Sequence, residues 1–446
     1  MHIMLSTANS VIMERDIRGY YPMAESTRDV NSRSQPIRKI VIAHESPDAH
    51  FGAKVGGAAK VALEQSKALH RMGRPIKLIG PSNGGNGAGL MIPHELFNMP
   101  QAASNDELLR FYKESDEWMS FWQGKFRVSP EGDVYGHYFV AGGIMSEMNG
   151  DIKGNRIYMG HSWDRVVNQM DPKRASAPIR SAAEKSILNE AHAVIVATEA
   201  ERQILAKSYQ DVVIGGKQVI LNKTFVVPLG IDSDKYSPEN IAEKRKEWRN
   251  KLLPEDLRSS LNFYMVGRIA PQKNQLNAVK AFCEAIRKTG DRNLTMSIFG
   301  GPLDNNTYYN ELKEFIKTQP EYIQRRILFH GVVDGEIAHA VGDIFVGPSI
   351  WETFFLAAAE AMASGKPTII SDKAILKEVA GKGSIFVSDS KIDKIADSIA
   401  IMATNPDFRS FSSQYNKKRA WKNFTWGKSA QTLDDVWNKL KKNNIA

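Results

Sequence analysis

Residues 37–79, IRKIVIAHESPDAHFGAKVGGAAKVALEQSKALHRMGRPIKLI, contain the pattern that decides the fold. The run IRKIVIAH at 37–44 is apolar and β-branched, as in a buried strand. Residues 57–72 repeat apolar side chains at three- and four-residue steps, which predicts a helix with one buried face. Gly73 ends that helix, and residues 75–79 begin the next strand. Strand, helix and strand within about 40 residues predict a βαβ unit of a parallel sheet.

The same alternation continues along the chain in two series. The first series contains the apolar runs YGHYFVAGG (135–143), RIYMGHSW (156–163) and AVIVATEAE (193–201), each with helical sequence around it. The second series predicts strands at 262–267, 295–300, 327–331, 343–349, 368–371 and 384–387, with helices such as 275–288 and 357–364. We therefore predict two doubly wound α/β domains, at 37–230 and 231–415, after an N-terminal extension (1–36) and before a basic C-terminal helix (416–446).

The stretch 81–132 interrupts this rhythm. Its glycines in GGNGAG (84–89) have the wrong spacing for a dinucleotide-binding loop, and no helix follows, so we interpret them as a loop. The aromatic residues that follow favour an inserted helical segment packed on the domain, with an acceptor pocket as the alternative. They are Phe111, Tyr112, Trp118, Phe121 and Trp122.

Composition places the chain among globular proteins. It has 446 residues, of which 42% are hydrophobic, and its only cysteine is Cys283. No apolar run approaches the ~18 residues that a membrane-spanning helix needs. The N-terminus lacks the basic-then-apolar layout of a signal peptide, so we expect a cytoplasmic protein.

The net charge of +9 is compatible with nucleic acid, an anionic membrane or a phosphorylated substrate as a partner. The last 31 residues alone carry +6 of it. Because no basic stripe interleaved with aromatic residues exists outside this tail, we expect no nucleic-acid partner. Peripheral contact of the tail with an anionic membrane stays open, and the sequence does not indicate an oligomeric state.

Ligands of doubly wound sheets bind at the carboxyl ends of the strands, which in two domains face a common cleft. Arg268 and Lys273 follow the first strand of the second domain, where two cations before a helix N-terminus suit a diphosphate. A solvated basic loop is the alternative. Glu352 and Glu360 lie eight residues apart, Glu360 within an alanine-rich helix, where sugar hydroxyls or a neighbouring cation could pair with a buried carboxylate.

Two further features lie at strand ends of the first domain. Gly56 and Gly57 precede its first helix, where glycine allows close approach of a ligand or makes a plain tight turn. His161 directly follows an apolar strand, where it could donate a hydrogen bond into the cleft or be structural.

Taken together, the order Gly-Gly, His, Arg-x4-Lys and Glu-x7-Glu across two α/β domains resembles the retaining glycosyltransferases of family 4, which have the GT-B fold. The segments 180–205, VVPLGIDSDKYSP (226–238) and 335–371 also look like that family, and the resemblance runs from about residue 40 to about residue 405. YGHYFVAGG, GHSWDR and the Arg180/Glu184 pair look most like the branch with sucrose-phosphate synthase and inositol-phosphate glycosyltransferases. In this family the C-terminal helix crosses back onto the first domain.

The resemblance implies a role for each matching residue. Arg268 and Lys273 would hold the donor diphosphate, Glu360 the nucleotide ribose, and Glu352 hydroxyls of the donor sugar. His161 would lie beside the sugar, and with Arg268, Lys273 and Glu352 it forms the implied catalytic set. The other implied contacts are Gly56, Gly57, Gly267, Phe354, Phe355 and Leu356 for the donor, and Gly56, His137 and Arg180 for the acceptor.

One residue departs from the family pattern. The family commonly has glycine three residues after the first glutamate, whereas this chain has Phe355, which restricts φ where glycine is free. Either the loop turns Phe355 away from the donor, or the donor sugar is unusual or seated differently.

A divalent metal is not expected. Asp232-Ser233-Asp234 fits a D-x-D pattern, but it lies in the linker, away from any strand end, and reads as a solvated turn. We therefore expect activity without metal and no cofactor other than the nucleotide-sugar co-substrate.

The resulting hypothesis is a retaining hexosyltransferase that uses a UDP- or GDP-sugar and a small polar acceptor such as a sugar, sugar phosphate or cyclitol. The alternatives are the same chemistry on a membrane lipid or glycan, and a non-catalytic nucleotide-sugar-binding protein.

Overall fold

A computed structural model of the chain describes most residues from 39 onward. The described residues are 39–42, 57–82, 92, 94–98, 108–109, 113–114, 116, 120, 122–123, 132–148, 150–172, 178–214, 217–218, 220–302 and 307–443. The GGNGAG loop, Gly56 and four of the five aromatic residues of the insertion lie outside them, whereas Trp122 is described and buried.

The first sheet has seven parallel strands in the order β3-β2-β1-β4-β5-β6-β9. Its strands are β1 (Lys39–Ile42), β2 (Ile76–Ser82), β3 (His94–Asn98), β4 (Asp133–His137), β5 (Arg156–Met159), β6 (Ala193–Val196) and β9 (Thr224–Val226). The short strands β7 (Val213–Ile214) and β8 (Lys217–Gln218) form a separate antiparallel pair. The order of the sheet reverses between β1 and β4, where the carboxyl ends of the strands open a crevice.

The second sheet has six parallel strands in the order β12-β11-β10-β13-β14-β15. They are β10 (Leu261–Val266), β11 (Leu294–Phe299), β12 (Ile327–Gly331), β13 (Ile344–Gly347), β14 (Thr368–Ser371) and β15 (Ser384–Val387). Most side chains of β10, β11, β13 and β14 are buried, as expected for strands covered by helices on both faces.

Helices connect the strands of both sheets. In the first domain they are α1 (Gly57–Arg71), α2 (Tyr138–Glu147), α3 (Asp164–Met170), α4 (Pro178–Glu190), α5 (Glu199–Ser208) and α6 (Ile220–Lys223). Around the second sheet they are α7 (Pro238–Leu252), α8 (Gln275–Thr289), α9 (Thr307–Lys317), α10 (Glu321–Gln324), α11 (Gly335–Val341), α12 (Leu356–Ala363), α13 (Ala374–Ala380) and α14 (Ile392–Thr404). The chain continues through α15 (Pro406–Asn423) and α16 (Trp426–Asn443).

The two predicted α/β units are therefore confirmed, and the six strands of the second series agree with the sheet within about two residues at each end. Two details of the first series were wrong. The stretch 81–132 contributes an edge strand, β3, which pairs in parallel with β2. The run 135–143 is only a strand up to His137, because Tyr138 adopts a left-handed conformation (φ 72°) and starts a helix. The domain boundaries stay a prediction.

The C-terminal helix crosses back onto the first domain, as the resemblance implied. Gln65 Nε2 on α1 donates to Ser429 Oγ on α16 at 3.0 Å, and Arg74 pairs with Asp434. Trp437 is fully buried against the Tyr135 ring, with the two centroids 5.9 Å apart. The aromatic residues of the basic tail therefore stabilise the fold from inside.

Among the helices of the described part of the chain, none is both long enough and apolar enough to cross a membrane.

Candidate functional site

The loop after β10 is shaped by two glycines at neighbouring strand ends. Gly267 and Gly300 have φ of 145° and 143°, a region that residues with a side chain avoid. A Cβ on Gly300 would lie 1.9 Å from the Gly267 carbonyl oxygen, so only glycine permits this close approach. The chain then turns through a 3₁₀ segment, Pro271–Lys273, and enters α8.

Arg268 and Lys273 both lie on this loop, but in different surroundings. The Lys273 side chain is 18% exposed, and its Nζ donates to Glu352 Oε1 at 2.5 Å. Arg268 is exposed, and within the described residues no carboxylate pairs with its guanidinium. The pair Lys273–Glu352 joins two predicted site residues 79 positions apart, while Arg268 is available to an anion.

Further hydrogen bonds fix the loop to the strand end that carries Glu352. Asn274, at φ 59°, donates from Nδ2 to the Pro348 carbonyl at 2.9 Å. Gln272 accepts a hydrogen bond from Ile350 N at 2.8 Å through its own carbonyl. The loop after β10 and the loop after β13 therefore form one rigid unit at the carboxyl edge of the second sheet.

Phe355 keeps the backbone conformation that favours glycine and turns its ring into the protein. Its φ and ψ are 73° and 66°, and its ring is 6% exposed. The ring packs against Phe345, with centroids 5.5 Å apart, and fills the space beside Gly347 where a Cβ would clash. Of the two possibilities raised by the sequence, the loop turns Phe355 away.

The neighbours of Phe355 point in different directions. Phe354 is buried edge-on against Phe424, with centroids 5.2 Å apart, and Leu356 begins α12. Neither Phe354 nor Phe355 leaves its ring exposed, so a donor contact from these two residues would come from their backbone.

Glu360 lies on α12 and is surrounded by residues from both domains. Its Oε1 pairs with Lys60 Nζ of α1, and its Oε2 lies 3.9 Å from His339 Nε2. Burial alone would raise the pKa of Glu360, but the Lys60 ammonium and the His339 ring outweigh it, and the pKa falls to about 2. Glu360 is therefore a carboxylate, whose charge is balanced from across the cleft.

His161 faces the second domain at the end of β5. It has a left-handed φ of 55°, and its carbonyl accepts a hydrogen bond from Thr353 Oγ1, next to Glu352, at 2.6 Å. Its Nε2 lies 2.8 Å from Nδ1 of His137, which is fully buried. His161 therefore lies next to the loop that carries Glu352, and its ring contacts the buried His137 ring.

Arg180 belongs to a buried network beneath the His161 loop. Its guanidinium donates to Glu184 Oε1 at 2.7 Å and to Ser162 Oγ at 2.9 Å. Glu184 in turn accepts from the backbone N–H of Asp164 at 2.9 Å. With both His137 and Arg180 buried, their influence on an acceptor would pass through residues 161–164, and their assignment to acceptor binding stays a prediction.

The remaining predicted residues are only partly described. Gly57 begins α1 and is exposed, and a Cβ added there would meet no atom within 4 Å; Gly56 lies outside the described residues. Asp232 Oδ1 accepts from the backbone N–H groups of Asp234 and Lys235 at 3.1 and 3.0 Å, which makes the D-x-D sequence a turn. The part of the chain that the structure describes holds no group of three potential metal ligands from His, Cys, Asp and Glu.

Three residues of the site escaped the sequence analysis, namely Lys60, His339 and Thr353. Each contacts a residue far away in the sequence: Lys60 lies 300 positions before Glu360. The one available signal was the alternative that Glu360 pairs with a cation, but nothing in the sequence identified which cation.

Known proteins resemble this chain over both domains. Residues 260–405 match the family model described as "Glycosyl transferases group 1". The chain is 25% identical over 316 residues to D-inositol 3-phosphate glycosyltransferase of Corynebacterium glutamicum (strain R), covering 68% of this chain and 71% of that protein. It is 33% identical over 150 residues to UDP-Gal:alpha-D-GlcNAc-diphosphoundecaprenol alpha-1,3-galactosyltransferase of Escherichia coli, covering 34% of this chain and 37% of that protein.

The fold is shared with a solved glycosyltransferase structure. Sucrose-phosphate synthase from Thermosynechococcus elongatus superposes with a TM-score of 0.72 at 20% identity, covering 91% of this chain and 99% of that one. The matched segment 260–405 contains Arg268, Lys273, Glu352 and Glu360. Residues 260–405 are therefore similar to the group 1 glycosyltransferases, and the chain shares the GT-B fold of the solved structure.

Proposed function

We propose that the chain is a retaining glycosyltransferase that moves a hexosyl group from a UDP- or GDP-sugar to a hydroxyl of a small polar acceptor. The observation that carries this proposal is the cluster at the carboxyl edge of the second sheet. There, Lys273 is paired with Glu352 while Arg268 is exposed. Two cations and a carboxylate at a strand end suit a diphosphate joined to a sugar.

The proposed reaction depends on charge stabilisation and positioning. As the glycosidic bond breaks, negative charge develops on the diphosphate, and Arg268 and Lys273 would stabilise it. Glu352 would hold sugar hydroxyls and fix the direction of Lys273. The acceptor hydroxyl would attack the anomeric carbon from the face that the diphosphate leaves, and a phosphate oxygen would take its proton. Such a reaction needs orientation rather than a side-chain nucleophile.

The first domain would complete the site from the opposite side. The His161 backbone carbonyl accepts a hydrogen bond from Thr353, next to Glu352, and the His161 ring, whose Nε2 faces His137, would border the sugar. The N-terminus of α1 at Gly57 would present backbone N–H groups to an anion. Closure of the two domains would exclude water and limit hydrolysis of the donor.

A panel of nucleotides tests the donor class most simply. Thermal unfolding is measured with UDP, GDP, ADP and their sugars, because a ligand at 100 times its Kd stabilises the folded state by about 2.7 kcal/mol. We expect a UDP or GDP compound to raise the melting temperature. Transfer is then followed by NMR, which must find the product with the anomeric configuration of the donor; the opposite configuration would contradict a retaining reaction.

Metal independence is a separate prediction. Since Arg268 and Lys273 supply two positive charges, we expect transfer to continue in excess chelator at the rate measured without it. The donor panel is repeated with EDTA and with added magnesium or manganese. Complete loss of transfer in chelator, restored by either metal, would contradict the proposal.

A lipid-linked acceptor is the second candidate. It is supported by the relative from Escherichia coli, whose name specifies a diphosphoundecaprenol acceptor, and by the basic tail. Sedimentation with vesicles of anionic phospholipid at physiological salt separates the two. A chain that stays in the supernatant supports a small polar acceptor, and one that sediments supports the lipid.

A further inference from the structure

Lys60 forms an ion pair with Glu360, the carboxylate to which the family resemblance gives the nucleotide ribose, a role that we carry into the proposed function. Lys60 belongs to α1 of the first domain, and its ammonium pairs with Glu360 Oε1 on α12 of the second. The Lys60 side chain is 36% exposed, whereas Glu360 is only 8% exposed. A ribose approaching Glu360 therefore meets a cation already in place.

The other oxygen of Glu360 is faced by a fixed partner from its own domain. The Tyr264 hydroxyl lies 2.7 Å from His339 Nδ1, and His339 is fully buried. Burial lowers the pKa of His339, so the ring is neutral. A bare nitrogen lone pair facing a carboxylate would be repelled, so the proton belongs on Nε2, 3.9 Å from Glu360 Oε2, and the Tyr264 hydroxyl donates to Nδ1.

Lys60 and His339, which lie beside Glu360 together with Tyr236, thus differ in how easily each can move away from the carboxylate. His339 is held inside the second domain by Tyr264 and cannot move without disturbing the core. Lys60 has a flexible stem and is partly exposed, and the carboxylates of Glu64 and Asp232 lie near enough to attract its ammonium. Lys60 can therefore exchange Glu360 for another anion at small cost, while His339 stays.

We propose that Lys60 is a positioning residue of the ribose site that acts through Glu360. It holds the carboxylate while the cleft is empty, and it leaves when ribose hydroxyls bind, so it weakens the affinity of the chain for nucleotide. This inference rests on the proposed function, because it takes Glu360 as the ribose ligand. It adds that the first domain sets the nucleotide affinity of the second.

The test compares Lys60→Met with wild type by isothermal titration calorimetry, with UDP, GDP and uridine as probes. Methionine keeps an unbranched side chain and removes the charge. For the nucleoside diphosphate that wild type binds, we expect a Kd about three- to tenfold lower in Lys60→Met, since a partly exposed ion pair contributes about 1 kcal/mol. Lys67→Met on the same helix is the matched control and should leave Kd unchanged. An unchanged or higher Kd in Lys60→Met would overturn the inference.

A double-mutant cycle separates action through Glu360 from a general effect on stability. In a Glu360→Gln background, Lys60→Met should no longer change Kd, because the carboxylate that it competes for is absent. Lys60→Arg, which keeps the ion pair, should bind like wild type. An equal effect of Lys60→Met in both backgrounds would refute action through Glu360. Should Lys60→Met fail to fold, Lys60→Gln removes the same charge.

The outcome also distinguishes this inference from the proposed function. If wild type binds none of the nucleoside diphosphates, the proposed function itself fails. If wild type binds one of them and Lys60→Met binds it equally, only the role of Lys60 is wrong.

Discussion

The left-handed backbone of Phe355 destabilises the folded state, and the burial of its ring offsets this destabilisation. A left-handed backbone costs a residue with a side chain roughly 1–2 kcal/mol, which glycine avoids. The ring of Phe355, however, fills the space between Phe345 and Gly347 and lies 5.1 Å from Lys273 Nζ. Phe355 therefore adopts a backbone conformation typical of glycine, and its ring packs against Lys273, a residue proposed to bind the diphosphate.

Replacing Phe355 by glycine should destabilise the protein although it relieves the backbone. Removing a buried phenylalanine side chain costs about 3–5 kcal/mol, and the relief returns only part of this. We expect a net loss of about 2 kcal/mol in the free energy of unfolding, measured by urea denaturation. A variant as stable as wild type would show that the ring contributes nothing to packing.

Glu201 is the residue whose titration should be visible in stability. It is buried, its Oε2 accepts a hydrogen bond from Ala197 N at 2.8 Å, and burial raises its pKa to about 8. The folded state therefore binds a proton that the unfolded state releases above about pH 4.5. Stability from this group is complete below that pH and is lost as the pH rises toward 8.

Glu201→Gln keeps the acceptor oxygen and removes the titration. At pH 8 we expect its melting temperature to exceed that of wild type by about 3 °C or more, and at pH 4.5 the two should agree. Differential scanning calorimetry at both values makes the measurement, with Glu243→Gln on an exposed face as control. The same difference at both pH values would rule out the titration as its cause.

Among the elements, α1 allows a test of the cleft by substitution, because a side chain added at its first residue, Gly57, would contact no other atom of the described residues. A Cβ on Gly57 meets no atom within 4 Å in the described structure. Gly57→Ala should therefore leave the melting temperature unchanged. If this end of α1 faces the ligand, the added methyl group should displace it and lower the transfer rate about tenfold or more.

Gly150→Ala is the matched control for Gly57→Ala. Gly150 also has open space around its Cβ position, but it lies between α2 and β5, outside the proposed cleft. A wild-type transfer rate in both variants would remove Gly57 from the site.

The elements also show where prediction from sequence succeeds. The second series of strands could be predicted because each is a short apolar run between turns, as in ILFHG (327–331) and TIIS (368–371). β3, with the sequence HELFN, could not, because an edge strand with one charged and two other polar residues lacks that pattern. The break at Tyr138 could not be predicted either, since nothing in the local sequence indicates a left-handed tyrosine there.

Some residues of the candidate site could likewise be predicted from the sequence, and others could not. Arg268, Lys273 and Glu352 lie at the carboxyl ends of strands, where ligands of parallel sheets bind. In the structure Lys273 and Glu352 form an ion pair. Contacts between the domains follow no local pattern. Neither Lys60 nor Thr353 stood out, because the importance of each depends on a partner in the other domain.

At the scale of the whole molecule, polar contacts among the described residues join the first domain to the second sheet's helices and loops, in addition to the contacts of α16 with α1 and Arg74. They include the Lys60–Glu360 ion pair, the Thr353–His161 hydrogen bond, and the cap that Glu378 of α13 places on α5. The Glu378 carboxylate accepts from Glu199 N and Ala200 N, both at 2.7 Å, where a helix N-terminus favours negative charge. In the described structure the two domains therefore contact each other directly.

The central claim is that the carboxyl edge of the second sheet binds the diphosphate of a nucleotide sugar and stabilises its departure. The most direct measurement is the rate of sugar transfer by Arg268→Ala and Lys273→Ala, with Lys280→Ala as control, whose ammonium lies on α8 over the Phe315 ring. Removing a preorganised donor to a developing anion costs about 2.7–4 kcal/mol, so each site variant should lose at least about 100-fold in rate. The control should match wild type; near-normal transfer by both site variants would contradict the claim.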